Sequence, residues 1–124
     1  MATIKSYTTI EQSRKLAEIL PIESADMCYL PTHIGDEHHF IASLSPYSIC
    51  TKMTEVSIKY CIPCWSLASL FGALPKIINN ETLFIETSAA LWHIGYRNIY
   101  TARADNPIDA CVAMFEKLHE LKML

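Results

Sequence analysis

At 124 residues, with 51% hydrophobic and 19% charged side chains, the chain is long enough for one domain that buries roughly two-thirds of the surface its unfolded form exposes. Ile, Leu, Val and Phe together exceed the roughly 20% below which chains tend to stay disordered, so a packed core is expected. Ten basic against thirteen acidic residues give a net charge of −3, and no Lys/Arg run is dense enough to follow a row of phosphates, so nucleic acid is not an expected partner.

Thr8-Thr9-Ile10-Glu11-Gln12 offers two overlapping capping boxes, Thr8 with Glu11 or Thr9 with Gln12, and predicts a helix beginning near Ile10. Leu16, Ala17, Ile19 and Leu20 give it an apolar side over about three turns, and Pro21 ends it because the residue before a proline avoids helical backbone. From Leu16 to Thr51 there is no Lys or Arg, whereas Glu18, Glu23, Asp26, Asp36 and Glu37 are acidic and His33, His38 and His39 cluster around Gly35-Asp36. Met27 to His33 and His38 to Leu44 read as two short strands flanking that turn. The period-two alternation of Val56, Ile58, Tyr60 and Ile62 predicts a further strand, which Pro63 stops. Leu67, Leu70, Phe71 and Leu74 recur at helical spacing and predict an amphipathic helix ending before Pro75, with a loop over Lys76 to Glu81.

Leu83 to Thr87 and Leu91 to Arg97 are strand-like and pair as a hairpin, with Trp92, Ile94 and Tyr96 on one face of the second strand. Asn106-Pro107-Ile108-Asp109 combines a capping Asn, a proline at the first helical position and an acid in the first turn. The helix it opens carries an apolar stripe of Ile108, Cys111, Val112, Phe115, Leu118 and Leu121. The expected fold is therefore a single α+β domain, residues 1–124, with an antiparallel sheet of about four strands and three helices in the order α, β, β, β, α, β, β, α.

The N-terminal residues lack the apolar run of a secretory signal, and Ile62 to Ile78 is too short and too interrupted for a membrane span. Five cysteines, an odd number, in a chain with this much apolar content read as reduced thiols of a cytoplasmic protein. With only three glycines there is little room for a phosphate-cradling loop, and no cofactor is expected.

Three segments in order, ESADM at Glu23 to Met27, IPCWSLASLFGALP at Ile62 to Pro75, and DNPIDACVAMFEKLHEL at Asp105 to Leu121, carry a resemblance. The chain resembles a family of small uncharacterised proteins encoded by phages, prophages and other mobile elements of gut Bacteroidetes. Recurring features of that family are the Trp-Ser-Leu opening of the middle helix and the Asn-Pro-x-Asp-Ala opening of the last one. The resemblance implies a genetic context, with an accessory or host-modulating role, rather than a chemistry.

The sharpest chemical motif is Cys61-Ile62-Pro63-Cys64, a CxxC between a strand and a helix. A thioredoxin-like dithiol needs that context, because a helix N-terminus stabilises a thiolate and Lys59 lies two residues before Cys61. In that alternative Cys61 is the nucleophile of a small oxidoreductase and Cys64 the resolving thiol. A weaker metal reading pairs Cys61 and Cys64 with two of His33, His38 and His39 as zinc ligands, against a spacing that carries no specificity. His93 and His119 have no recognisable nucleophile beside them in sequence, and Asp105 and Asp109 are accounted for by the helix start.

Trp65, Trp92, Tyr96 and Tyr100 are the candidate interaction residues, since aromatic side chains are favoured as interface anchors. An outward row of Trp92, Ile94 and Tyr96 would form an apolar patch that a homodimer covers most simply. A non-enzymatic role through contact with another protein is thus the expected function, with the dithiol oxidoreductase as its competitor.

Overall fold

The computed structural model describes residues 6–31, 40–43 and 61–124. The chain is α+β, with two antiparallel sheets, and it divides into two compact units, Tyr7–Ser69 and a second containing Leu70–Leu124.

The first unit opens with α1 (Ile10–Ala17), started by Thr9 and Gln12. The Thr9 hydroxyl accepts from the Gln12 backbone N–H at 3.1 Å and the Gln12 side chain accepts from the Thr9 N–H at 3.0 Å, so of the two capping boxes readable in the sequence this one forms. The helix runs eight residues, nearer two turns than three, with Glu18 as its C-cap and a closing turn, Leu20 N–H to the Leu16 carbonyl at 2.7 Å, ahead of Pro21. A 3₁₀ turn (Ile22–Ser24) leads into β1 (Met27–Pro31). β1 is the central strand of a three-stranded sheet, with β2 (Phe40–Ser43) on one side and β3 (Ile62–Cys64) on the other, both antiparallel. The pairing of β1 with β2, Tyr29 opposite Ala42 and Leu30 opposite Ile41, agrees with the two strands expected around Gly35-Asp36. The turn itself and the alternating run Val56 to Tyr60 lie outside the described residues.

Pro63 does not stop β3, as the sequence suggested, but sits inside it opposite Cys28. The reason is position: among the described residues β3 lies at the edge of its sheet, where a residue without an N–H is tolerated. Met27, Tyr29, Ile62 and Cys64 share one face of β1–β3, packed with Ile10, while Cys28, Cys61 and Leu30 cluster on the other.

The middle helix, α2 (Leu67–Ala73), joins the two units. Beyond it lies a four-stranded antiparallel meander, β4 (Ile77–Ile78), β5 (Glu81–Ser88), β6 (Leu91–Tyr96) and β7 (Tyr100–Ala104), followed by α3 (Pro107–Glu120). The expected loop at Lys76 to Glu81 contains β4, turned back by Asn79 and Asn80 at φ 50° and 68°, values that Asn tolerates better than most residues. The expected β5–β6 hairpin forms, with Ile85 opposite Ile94 and Glu86 opposite His93. β7 is an addition to the sequence reading.

Ile94, Tyr96 and Ala102 are buried on the sheet face that α3 covers. From α3 itself Ile108, Cys111, Val112, Met114, Phe115 and Leu118 are buried. Asn106 caps this helix, accepting from the Asp109 N–H at 2.8 Å, with Pro107 at the first position.

Two backbone features of the meander set local stability. A Cβ on Gly95 would lie 2.2 Å from the Tyr100 carbonyl oxygen and 2.7 Å from the Thr101 Cα, both main-chain atoms. Gly95→Ala is therefore expected to cost about 3 kcal/mol, the upper end for overpacking, as measured by urea denaturation. The β5–β6 turn places Ala89 and Ala90 at φ 52° and 62°, left-handed backbone that a Cβ disfavours. Replacing the pair by Asn-Gly is expected to raise stability by about 1 kcal/mol in the same assay, and an unchanged midpoint would show the turn to be unstrained.

Candidate functional site

Most of the polar groups that could do chemistry in the first unit converge where the segment before α1 meets the end of β3. Tyr7 bridges to Ser66, and the Thr8 N–H donates to the Trp65 carbonyl at 3.0 Å. The Thr8 hydroxyl, fully buried, lies 2.7 Å from the Ser13 hydroxyl and accepts from the Trp65 N–H at 3.2 Å. Its carbonyl accepts from the Tyr29 hydroxyl at 2.5 Å, and the Cys64 thiol stands 3.6 to 3.7 Å from the same residue. Burial pushes the Cys64 thiol up against the opposing hydrogen bonds from Thr8, Ser13 and Tyr29, and burial raises the Tyr29 phenol as well. Both groups therefore stay protonated at neutral pH. Among the described residues the cluster joins hydroxyls, a phenol and a thiol as mutual hydrogen-bond partners, with the Asp26 carboxylate near enough to oppose ionisation of Cys64.

A second polar centre holds the start of α2. Ser66 caps that helix, accepting from the Ser69 N–H at 3.2 Å, and is itself held by Asp26, whose carboxylate accepts from the Ser66 N–H at 2.9 Å and from the Ser66 hydroxyl. Burial works to raise the Asp26 carboxyl, but the hydrogen bonds from Ser66 and Ser69 outweigh it and keep it below the usual carboxylate range. Trp65, fully buried between the two centres in sequence, donates its indole N–H to Ser24 at 2.9 Å.

The CxxC motif does not form a dithiol. Cys61 and Cys64 are both buried and belong to opposite faces of the sheet, Cys64 with Met27 and Tyr29, Cys61 with Cys28. An interval of three along extended backbone reverses the side-chain direction, whereas the redox geometry requires both sulfurs on one helical turn. Cys64 ends β3 and Ser66, not Cys64, caps α2. The same splay prevents the two sulfurs from sharing a zinc ion. His33, His38 and His39 lie outside the described residues, and among the described residues no group of three or more His, Cys, Asp or Glu is placed to hold a metal.

The aromatic candidates separate into two groups. Trp65 and Tyr96 are fully buried, and Tyr96 donates its hydroxyl to the Pro75 carbonyl, so neither is a surface anchor and the row Trp92–Ile94–Tyr96 faces the covered side of the sheet. Burial raises the Tyr96 phenol to about 12. The physical reason for the correction is that both residues satisfy their polar tips internally, which removes the cost of enclosing them. Trp92 is half-buried, and Tyr100 is 40% exposed with the Lys117 ammonium 5.2 Å from its ring centroid. Cys111 is enclosed in the α3 stripe, its thiol pushed up to about 12 by burial. His93 bridges its own hairpin, with Nε2 3.2 Å from the Ser88 hydroxyl.

The Thr8 cluster and the Asp26–Ser66 bond are not legible in the sequence, because apart from Ser13, five residues from Thr8, their partners lie 21 to 57 residues away. No family model, curated protein or solved structure matches the chain. No helix among the described residues is long and apolar enough to cross a membrane.

Thr8→Val keeps the shape but strands the Trp65 N–H and the Ser13 hydroxyl, and is expected to cost about 2–3 kcal/mol in urea denaturation, against about 1 kcal/mol for Ser13→Ala. Because the Asp26 carboxyl is lowered in the folded chain, its ionised form contributes stability above about pH 4, and that contribution disappears as pH falls through the lowered folded value. Asp26→Asn is therefore expected to destabilise by about 1–2 kcal/mol at pH 7 and progressively less below about pH 4, read from denaturation midpoints across pH.

Proposed function

We propose that this chain is a non-enzymatic contact module of a phage or mobile element, working in the cytoplasm by binding another protein. The observation that carries the reading is the burial of Cys61 and Cys64 on opposite faces of the first sheet, which withdraws support from the dithiol oxidoreductase. The hydroxyls of Thr8 and Ser13 are likewise enclosed and engaged with one another. What faces solvent is better suited to contact than to chemistry: Tyr100 on β7, half-buried Trp92 on β6, and Ile85 on β5, 39% exposed. All three are partly exposed members of the sheet face on which Ile94, Tyr96 and Ala102 are buried under α3, since Ile85 pairs with Ile94, Tyr100 pairs with Tyr96, and Trp92 is two residues from Ile94 on the same strand. The mobile-element context rests on the resemblance in the segments ESADM, IPCWSLASLFGALP and DNPIDACVAMFEKLHEL.

A photo-crosslinking amino acid at position 92 or 100, expressed in a Bacteroidetes host, tests the reading. One recurrent protein captured from both positions and not from exposed position 120 on α3 is expected. Capture at background level from both would contradict it.

A further inference from the structure

The strand β5 is longer than the neighbour that covers it. β4 pairs with Thr82 and Glu81 alone, and the Leu83 N–H donates to the Lys76 carbonyl at 2.9 Å. From Phe84 to Ser88 no strand among the described residues lies on that side, and Ile85, Glu86, Thr87 and Ser88 are all exposed. Backbone direction follows from the Leu83 bond: N–H and C=O groups of alternate residues point the same way, so those of Ile85 and Thr87 also point outward, while Phe84 and Glu86 turn theirs toward β6. This is a five-residue sheet edge of β-favouring composition.

We propose that this edge accepts an extended antiparallel segment of a partner protein carrying a Lys or Arg opposite Glu86 and apolar residues on either side of it; the proposal rests on the protein-contact reading above. A strand added here exchanges hydrogen bonds with Ile85 and Thr87, so residues opposite them fall on the face where Ile85 already exposes apolar surface. The residue between them falls opposite Glu86 in a non-hydrogen-bonded pair, where side chains approach most closely, and a cation there is favoured.

A second copy of β5 fits worse in every two-fold register. Centred on Glu86, it sets two carboxylates opposite one another. Centred on Ile85, it places Thr87 of the second copy where Lys76 already occupies the ladder beside Leu83. Centred on Thr87, it carries Ile85 past the strand end into the turn at Ala89. Charge and register together favour a segment with a cation opposite Glu86 over a second copy of β5.

The test uses the full chain and two capped, fluorescently labelled peptides, Thr-Val-Lys-Val-Thr and Thr-Val-Glu-Val-Thr, followed by fluorescence anisotropy at low salt. The Lys peptide is expected to bind at least about fivefold more tightly than the Glu peptide, and Glu86→Lys to reverse that order. Ile85→Pro removes an outward N–H without touching the β5–β6 ladder and is expected to abolish binding while leaving the thermal transition cooperative. Thr87→Pro serves the same purpose where Ile85→Pro unfolds the chain. Binding of neither peptide at millimolar concentration, equal binding of both, or binding indifferent to these prolines would overturn the proposal. Crosslinking from positions 92 and 100 that persists alongside such a failure would place the contact elsewhere and leave the protein-contact reading standing.

Discussion

The antiparallel register of β1 with β3 governs the first unit. Setting Met27 opposite Cys64 and Tyr29 opposite Ile62 decides which side chains meet on each face of the sheet. A shift of one residue would exchange every side chain between faces, so the register and the two apolar clusters, Met27–Tyr29–Cys64 and Cys28–Cys61, determine one another. The same register delivers Trp65 and Ser66, immediately after β3, to Thr8, Ser24 and Asp26. This pairing places the thiols of the CxxC motif in different apolar clusters, and burial pushes the Cys64 thiol up.

Local signals in the sequence translated well. The caps at Thr9 and Asn106, the proline at the first position of α3, and the helical spacing of Leu67, Leu70 and Phe71 depend on neighbours within one or two turns, and each appears in the structure. The features that escaped reading depend on distant partners. Pro63 looked like a terminator because its tolerance depends on β3 being an edge, which local sequence does not reveal. β7, Tyr-Thr-Ala-Arg-Ala, presents mostly small residues to the helix-covered face, so its alternation lacks the bulk that marks a buried strand. β4 is two residues long and is defined by the Asn79-Asn80 turn more than by its own side chains.

The candidate site was legible only as a list of residue types. Cys61, Cys64, Trp65 and Tyr96 stand out in the sequence for thiol reactivity and aromatic surface, and the structure encloses all four. Trp and Tyr are ambiguous in sequence because a partner for the polar tip, here Ser24 and the Pro75 carbonyl, turns an interface residue into a core residue. The polar groups that organise the first unit, Thr8, Ser13, Asp26 and Ser66, are unremarkable in sequence and act by satisfying one another across loops and strands. A buried network of this kind fixes geometry at the cost of reactivity, since each hydroxyl is already engaged.

The proposal that this chain works without thiol chemistry is tested by the reactivity of its native cysteines. Alkylation followed by mass spectrometry, across glutathione buffers spanning roughly −200 to −300 mV, reports both exposure and disulfide formation. Cys61 and Cys64, both buried, are expected to be labelled only as fast as the chain unfolds, with no disulfide joining them at any potential in that range. Selective labelling of Cys61 near neutral pH, with reversible formation of a Cys61–Cys64 disulfide, would contradict it.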